Sequence, residues 1–259
     1  MDNILLLQMI PGFGIVKIRS FLEKNQALIN DFNYFEYLVY KESGYKPSQF
    51  IDDVSRLKEQ CFNLGVKIIH PPNLGVEYRP LLLYIKGDES LIINKKNIAV
   101  VGTREPSSTG VDIGSRFVLN AIESGWCIVS GLARGCDKLA HRVTITNGGS
   151  TIAVIPMGYR DGLAPWILDR GVFVSEYPPN TKVEKFRCVL RNRIIVGLSK
   201  GLFVIEAQEG SGTQHSLKYA IESKIPISYG VGFNGITRYS HTKIEDKSQF
   251  DLFLKNCIE

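Results

Sequence analysis

Cysteine is scarce and scattered in this chain. The five cysteines (Cys61, Cys127, Cys136, Cys188 and Cys257) are odd in number and include no Cys-x-x-Cys pair. That spacing excludes a disulfide framework and a paired-cysteine zinc site, and leaves buried thiols in a reducing compartment as the expectation. Long hydrophobic runs are missing as well. The longest, such as Leu81–Ile85, are strand-sized, far short of the roughly 20 residues a bilayer-spanning helix needs. The opening Met1-Asp2-Asn3 has no basic flank and no small-residue cleavage site, so no secretory leader is expected and the protein is read as soluble and cytoplasmic. No Gly-x-x-x-x-Gly-Lys-Ser/Thr loop is present, and no Gly-x-Gly-x-x-Gly follows the first strand of the parallel series described below. Nucleotide triphosphatases and dinucleotide-dependent dehydrogenases are therefore disfavoured, and no cofactor is expected.

Excess charge is absent from most of the chain and concentrated in one place. The 259 residues carry 31 basic and 26 acidic side chains, a net +5. Between residues 182 and 200 six basic residues (Lys182, Lys185, Arg187, Arg191, Arg193, Lys200) face one acid, Glu184, so this window holds the whole excess. A concentrated basic stretch is the electrostatic footprint of a polyanion ligand. Phe186, Val189, Leu190 and Ile194–Val196 interleave with the charges, so the segment must also pack. With 44% hydrophobic and 22% charged residues, the composition is that of a globular protein, and the length suits one large domain with a small one.

Residues 1–65 read as helical, with apolar positions recurring near the 3.6-residue period. Between the first two helices stands Pro11-Gly12-Phe13-Gly14, which resembles a helix-hairpin-helix turn; Gly12, Gly14 and Lys17 are thereby candidates for a second phosphate contact. From Val66 onward the period changes. Short apolar runs at 66–69, 81–85, 98–101, 127–130, 151–155, 172–175, 202–205 and 225–228 are the strand candidates. Stretches at 108–124, 136–147, 184–198 and 213–223 are the helix candidates. Apolar strands alternating with helices predict an α/β fold, a Rossmann-like, doubly wound, mostly parallel sheet covered on both faces. The expected divisions are a helical N-terminal domain at 1–65, the sheet domain at 66–235, and a polar tail at 236–259 without a winged helix. No internal repeat or low-complexity tract is present.

In an open parallel sheet, ligands bind outside the carboxyl ends of the strands. The residues following the strands there are Gly102-Thr103-Arg104 with Ser107, then Ser130-Gly131 with Arg134, then Gly210-Ser211-Gly212-Thr213. Small residues, hydroxyls, guanidinium forks and helix starts are what phosphate recognition requires.

Several blocks occur in one order: Val101-Gly102-Thr103-Arg104, Ser130-Gly131-Leu132-Ala133-Arg134-Gly135-Cys136-Asp137 with Ala140-His141, Ser175-Glu176-Tyr177-Pro178-Pro179, Arg191-Asn192-Arg193-Ile194-Ile195, and Val204-Ile205-Glu206-Ala207. This succession, over roughly residues 66–230, resembles the DNA processing protein A (DprA, or Smf) family. The resemblance implies an extended Rossmann domain that binds single-stranded DNA in natural transformation, protects it and loads the RecA recombinase, works as a homodimer, and is not an enzyme. By motif position it implies that Arg104, Ser107 and the segment from Phe186 to Arg193 (Phe186, Arg187, Arg191, Asn192, Arg193) line the DNA groove, with Lys182 and Lys185 beside them. Arginine and lysine would follow the phosphates and Phe186 would stack on a base. The chain departs from the family where Phe-Pro ordinarily precedes Arg-Asn-Arg; here Phe186 stands apart from Arg191.

Single residues carry their own expectations. Arg191, Asn192 and Arg193 cannot all face one way on a helix, and Asn192 is the one expected to be structural. Asp137 and His141, four apart, are read as a structural pair rather than an acid–base dyad. Glu176 and Glu206 are expected to hold neighbouring arginines. The alternative function is a nucleotide-binding or phosphoribohydrolase-like protein, either an enzyme or a defence-system sensor. Against the enzyme, Ser216 stands where that family's Pro-Gly-Gly-x-Gly-Thr-x-x-Glu motif has its acid.

Overall fold

The computed structural model describes residues 2–25, 31–76, 79–94, 96–208, 210–231 and 242–258. The chain begins with four helices, α1 (Asp2–Met9), α2 (Ile15–Lys24), α3 (Phe32–Ser43) and α4 (Ile51–Asn63). Gly12, at φ +73°, makes the turn between α1 and α2, a left-handed conformation that an L-residue adopts only with strain. Phe13 points back into the helical core, edge-on to Phe21 at 5.8 Å.

The strands are β1 (Lys67–Ile69), β2 (Leu83–Gly87), β3 (Asn97–Val101), β4 (Cys127–Ser130), β5 (Thr151–Val154), β6 (Gly171–Ser175), β7 (Leu202–Glu206), β8 (Ile227–Val231) and β9 (Thr242–Lys243). Among the described residues they form one sheet in the order β1-β2-β6-β5-β4-β3-β7-β8-β9. β1 and β2 run antiparallel at one edge, and every pairing from β6 to β9 is parallel. The chain winds outward from β3 through β4, β5 and β6, then returns to place β7 on the other side of β3. The switch point of this doubly wound sheet therefore lies between the carboxyl ends of β3 and β7.

The remaining helices are α5 (Ser108–Glu123), α6 (Cys136–Thr146), α7 (Lys185–Leu190), α8 (Asn192–Gly197), α9 (Thr213–Glu222) and α10 (Lys247–Asn256). Alternation along the strands sends Ala99, Val101, Val129 and Val204 to the face covered by α8 and α9. It sends Ile98, Val100, Ile128 and Phe203 to the face covered by α5, α6 and α10. Toward the β2 edge, that second layer is continued by the N-terminal helices, which share a core with Tyr84, Ala153, Ile155 and Phe173. The same core takes in Leu132, Leu163 and Tyr159 from the loops after β4 and β5, so the helical segment flanks the sheet's carboxyl rim.

Two expectations need correction. The span 184–198 is not one helix, because the chain breaks at Arg191 into α7 and α8. Residues 242–258, expected as part of a polar tail outside the sheet domain, pack into that domain. Helix α10 inserts Phe250, Phe253 and Leu254 against Phe117 and Phe203, which stack at 3.8 Å, with Phe250 edge-on to Phe117 at 5.2 Å. The expected boundary at 235/236 lies outside the described residues.

Candidate nucleic-acid interface

The loops after β3, β4, β5, β6 and β7 share one rim, and short backbone bonds tie them together. The Thr103 amide donates to the Glu206 carbonyl at 2.7 Å, and the Cys136 amide donates to the Thr103 carbonyl at 3.0 Å. A Cβ on Gly102 would meet Cys136 Sγ at 2.6 Å and the Glu206 carbonyl at 2.8 Å. Glycine at this position is what lets β3, β7 and the start of α6 converge, with Arg104 exposed on their outer side.

Ser107 caps α5, its Oγ accepting from the Gly110 amide at 3.1 Å. The same hydroxyl donates to Glu206 Oε2 at 2.8 Å, and the Ser107 amide donates to that oxygen at 2.8 Å. The hydroxyl hydrogen is thus committed within the protein, and Glu206 anchors this cap rather than an arginine. Ser130 is fully buried and donates to the Val100 carbonyl at 2.6 Å, which places its side chain beneath the rim and out of reach of a ligand. Gly131, also buried, has the Arg191 guanidinium packed where its Cβ would stand. Leu132 follows at φ +60°, a left-handed non-glycine residue beside the rim. Arg134 is exposed and pairs with Glu105 at 3.0 Å. At the switch, Gly210 and Gly212 are exposed, Ser211 is half-buried and Thr213 is buried. Helices α6 and α9 start at Gly135 and Gly212 without a side-chain cap. At α6 the Cys136 and Lys138 amides are taken by the Thr103 and Ala133 carbonyls and Asp137 lies in the first turn, so it is α9 that leaves the positive end of its dipole at this edge.

The basic window does not form one patch of free cations. Lys182, Lys185 and Phe186 are exposed at the rim, Phe186 at 53%. Arg187 bonds Glu184 at 2.7 Å and the Lys182 carbonyl at 2.7 Å, with its guanidinium 4.6 Å from the Tyr177 ring centre. Arg191 is buried and donates to the Val154 carbonyl at 2.8 Å. Arg193 is buried and its Nη2 donates to both oxygens of Glu176, at 2.6 and 2.7 Å. Lys200 stands at the opposite edge, its amide bonded to the Asn97 carbonyl at the start of β3. The two arginines of Arg-Asn-Arg are therefore the interior residues, and Asn192, half-buried with Nδ2 3.5 Å from the Gly212 carbonyl, is the one nearer the surface. The structure also brings to the rim two residues that the sequence reading does not single out as sites, Tyr177 after β6 and the exposed Arg160 after β5.

In the N-terminal hairpin, Gly12 and Gly14 are exposed and α2 has no side-chain cap. The Lys17 ammonium lies 4.5 Å over the Phe13 ring and 3.4 Å from the Glu42 carbonyl. Among the described residues no cluster of three or more His, Cys, Asp or Glu could hold a metal ion, and no helix is long and apolar enough to cross a membrane.

Asp137 and His141 lie beneath the rim, each engaged separately. Asp137 accepts the Ala133 amide at 3.3 Å; burial pushes its carboxyl up, against the opposing pull of Arg191. Thr151 donates to the Ile128 carbonyl at 2.7 Å, so its oxygen accepts from His141 Nδ1 at 2.7 Å. Burial, reinforced by Arg191, holds His141 at about 3 against an ordinary value of 6.5. Between those values the unfolded chain binds a proton that the folded chain refuses, so stability is lost as pH falls through 6.5. Asp137 works in the opposite direction, taking up a proton in the folded state first. Acidification from pH 6.5 to 5 is expected to cost the wild type about 2 kcal/mol more than His141→Asn. Denaturant unfolding at the two pH values checks this, and equal losses in both proteins would refute it.

Residues 69–242 match the family model described as DNA recombination-mediator protein A. DNA processing protein DprA of Bacillus subtilis is 37% identical over 150 residues, covering 55% of this chain and 50% of the relative. The structure of DNA processing protein A from Streptococcus pneumoniae superposes with a TM-score of 0.77 at 25% identity, covering 97% of each chain. DNA processing protein A from Helicobacter pylori, whose structure describes a single-stranded DNA binding mode, shares the fold with a TM-score of 0.66 at 21% identity, over 74% of this chain and 96% of that one. The chain spans about half the length of the curated relatives it matches.

Proposed function

The chain belongs to the DNA recombination-mediator protein A family, and from that premise we propose that it binds single-stranded DNA along the carboxyl rim of its sheet without catalysing a reaction. One observation carries the reading: Arg104, Lys182 and Lys185 are exposed on the rim that also presents Phe186 and the start of α9, which has no side-chain cap. Cations that track a backbone, combined with an aromatic ring for a base, form the general recipe for single strands. The DNA processing protein A of Helicobacter pylori, which shares the fold, supports it.

Protection of the strand, loading of RecA, a homodimeric state and a cytoplasmic location belong to this proposal through the family. The Gly12–Gly14 hairpin is assigned a second phosphate contact, through the amides at the start of α2 rather than through Lys17. The phosphoribohydrolase reading is set aside because Ser216, where its acid would stand, is a buried residue of α9.

Fluorescence anisotropy with a labelled oligonucleotide tests the proposal. Affinity should fall with salt at a slope of about −2 in log–log form, the value for three phosphate contacts on a single strand. Duplex and mononucleotide should compete poorly. A flat salt response, or mononucleotide competing as well as the strand, would overturn it.

A further inference from the structure

Resting on the single-strand reading, we propose that Tyr177 and Arg187 are positioning residues that hold the Phe186 ring as a preassembled stacking surface for one base. Helix α7 has six residues and fully buries none of them, so its own packing holds the exposed Phe186 only weakly. Arg187 supplies the missing support. Its guanidinium carbon lies 4.6 Å from the Tyr177 ring centre and 5.5 Å from the Phe186 ring centre, placing the cation against both rings. Nη2 bonds Glu184 at 2.7 Å and Nη1 donates to the Lys182 carbonyl at 2.7 Å. The side chain is only 18% exposed, although the neighbouring Phe186 is 53% exposed.

Tyr177 is in turn tied to the sheet. Its amide donates to Ser175 Oγ at 2.9 Å, and the preceding Glu176 holds the buried Arg193. Contacts therefore run from β6 through Tyr177 and Arg187 to Phe186. Because Glu184 balances its charge, Arg187 serves this column and not a phosphate. A planar guanidinium suits this place, since it can stack against a ring while its N–H groups bond in its plane, which an ammonium cannot do.

The test uses the full chain, oligonucleotides carrying 2-aminopurine, and three variants. Tyr177→Leu and Arg187→Met should each weaken binding by about fivefold, the scale of one exposed cation–π contact, and reduce the quenching of 2-aminopurine that stacking produces. Tyr177→Phe, which keeps the ring, should retain both. The salt slope should stay at the wild-type value in all three, because no phosphate contact is removed. Without DNA, amide exchange across residues 183–190 should quicken in Tyr177→Leu and Arg187→Met alone. If the wild type binds and Arg187→Met and Tyr177→Leu bind and quench equally well, this proposal is overturned and the DNA reading stands. If the wild type binds no single strand, the DNA reading falls and takes the proposal with it.

Discussion

Arg193→Ala should lower folding stability by about 3–5 kcal/mol, the cost of leaving one member of a buried ion pair without its partner. The side chains of Arg193 and Glu176 are 4% and 13% exposed and meet at 2.6 Å, so water screens the pair little. Arg193 Nη1 also donates to the Leu190 carbonyl at 2.9 Å, at the point where α7 ends. Truncation would therefore strand a carboxylate and a carbonyl together. The double variant Arg193→Met, Glu176→Leu removes both charges at similar volume and should recover most of the loss, because the pair's mutual attraction mainly offsets its own desolvation. Urea unfolding of the three proteins checks this. A single variant within about 1 kcal/mol of wild type would show that the pair is solvated and contributes little.

That ion pair also marks the limit of reading the sequence. Strands β3, β4 and β7 are legible to within a residue because each is a short apolar run bounded by small or polar residues, and a buried parallel strand has no other pattern to show. The shared carboxyl rim is legible for the same reason: topology puts whatever follows those strands at one edge. Orientation of the basic side chains is not legible. Glu176 holds a neighbouring arginine as expected, but it lies 17 residues before Arg193, and only the fold reveals which arginine it pairs with and that the pair is buried. Arg191 and Arg193 both face the interior and the chain runs on to Lys200 at the far edge, so a charge count along the sequence overstates the patch. Helix α10 escapes detection for a related reason. Phe250, Phe253, Leu254 and Cys257 follow a helical spacing, but among polar neighbours their burial is decided by Phe117 and Phe203, which are remote in sequence. Ser130 misleads in a third way, since a hydroxyl at a strand end serves a ligand or a neighbouring strand with the same residue type, and here it serves Val100.

If the exposed cations are the ones that meet DNA, the triple variant Arg104→Ala, Lys182→Ala, Lys185→Ala should lose about a hundredfold or more in single-strand affinity at low salt, and its salt slope should flatten by about 2. The reasoning depends on which cations are unencumbered. Arg187, Arg191 and Arg193 are held by Glu184, by the Val154 carbonyl and by Glu176 respectively. Replacing them would disturb the scaffold as well as any contact, so a loss of affinity taken alone would not show that a phosphate contact had been removed. Arg104, Lys182 and Lys185 are exposed, and surface substitutions of this kind shift stability by no more than about 0.5 kcal/mol each. Unchanged thermal unfolding of the triple variant is thus part of the expected result. Affinity and slope measured together separate two causes that affinity alone would merge: removal of phosphate contacts lowers both, whereas loss of base stacking lowers affinity and leaves the slope as it was. A triple variant that binds as tightly as wild type, with an undiminished slope, would move the DNA off this rim.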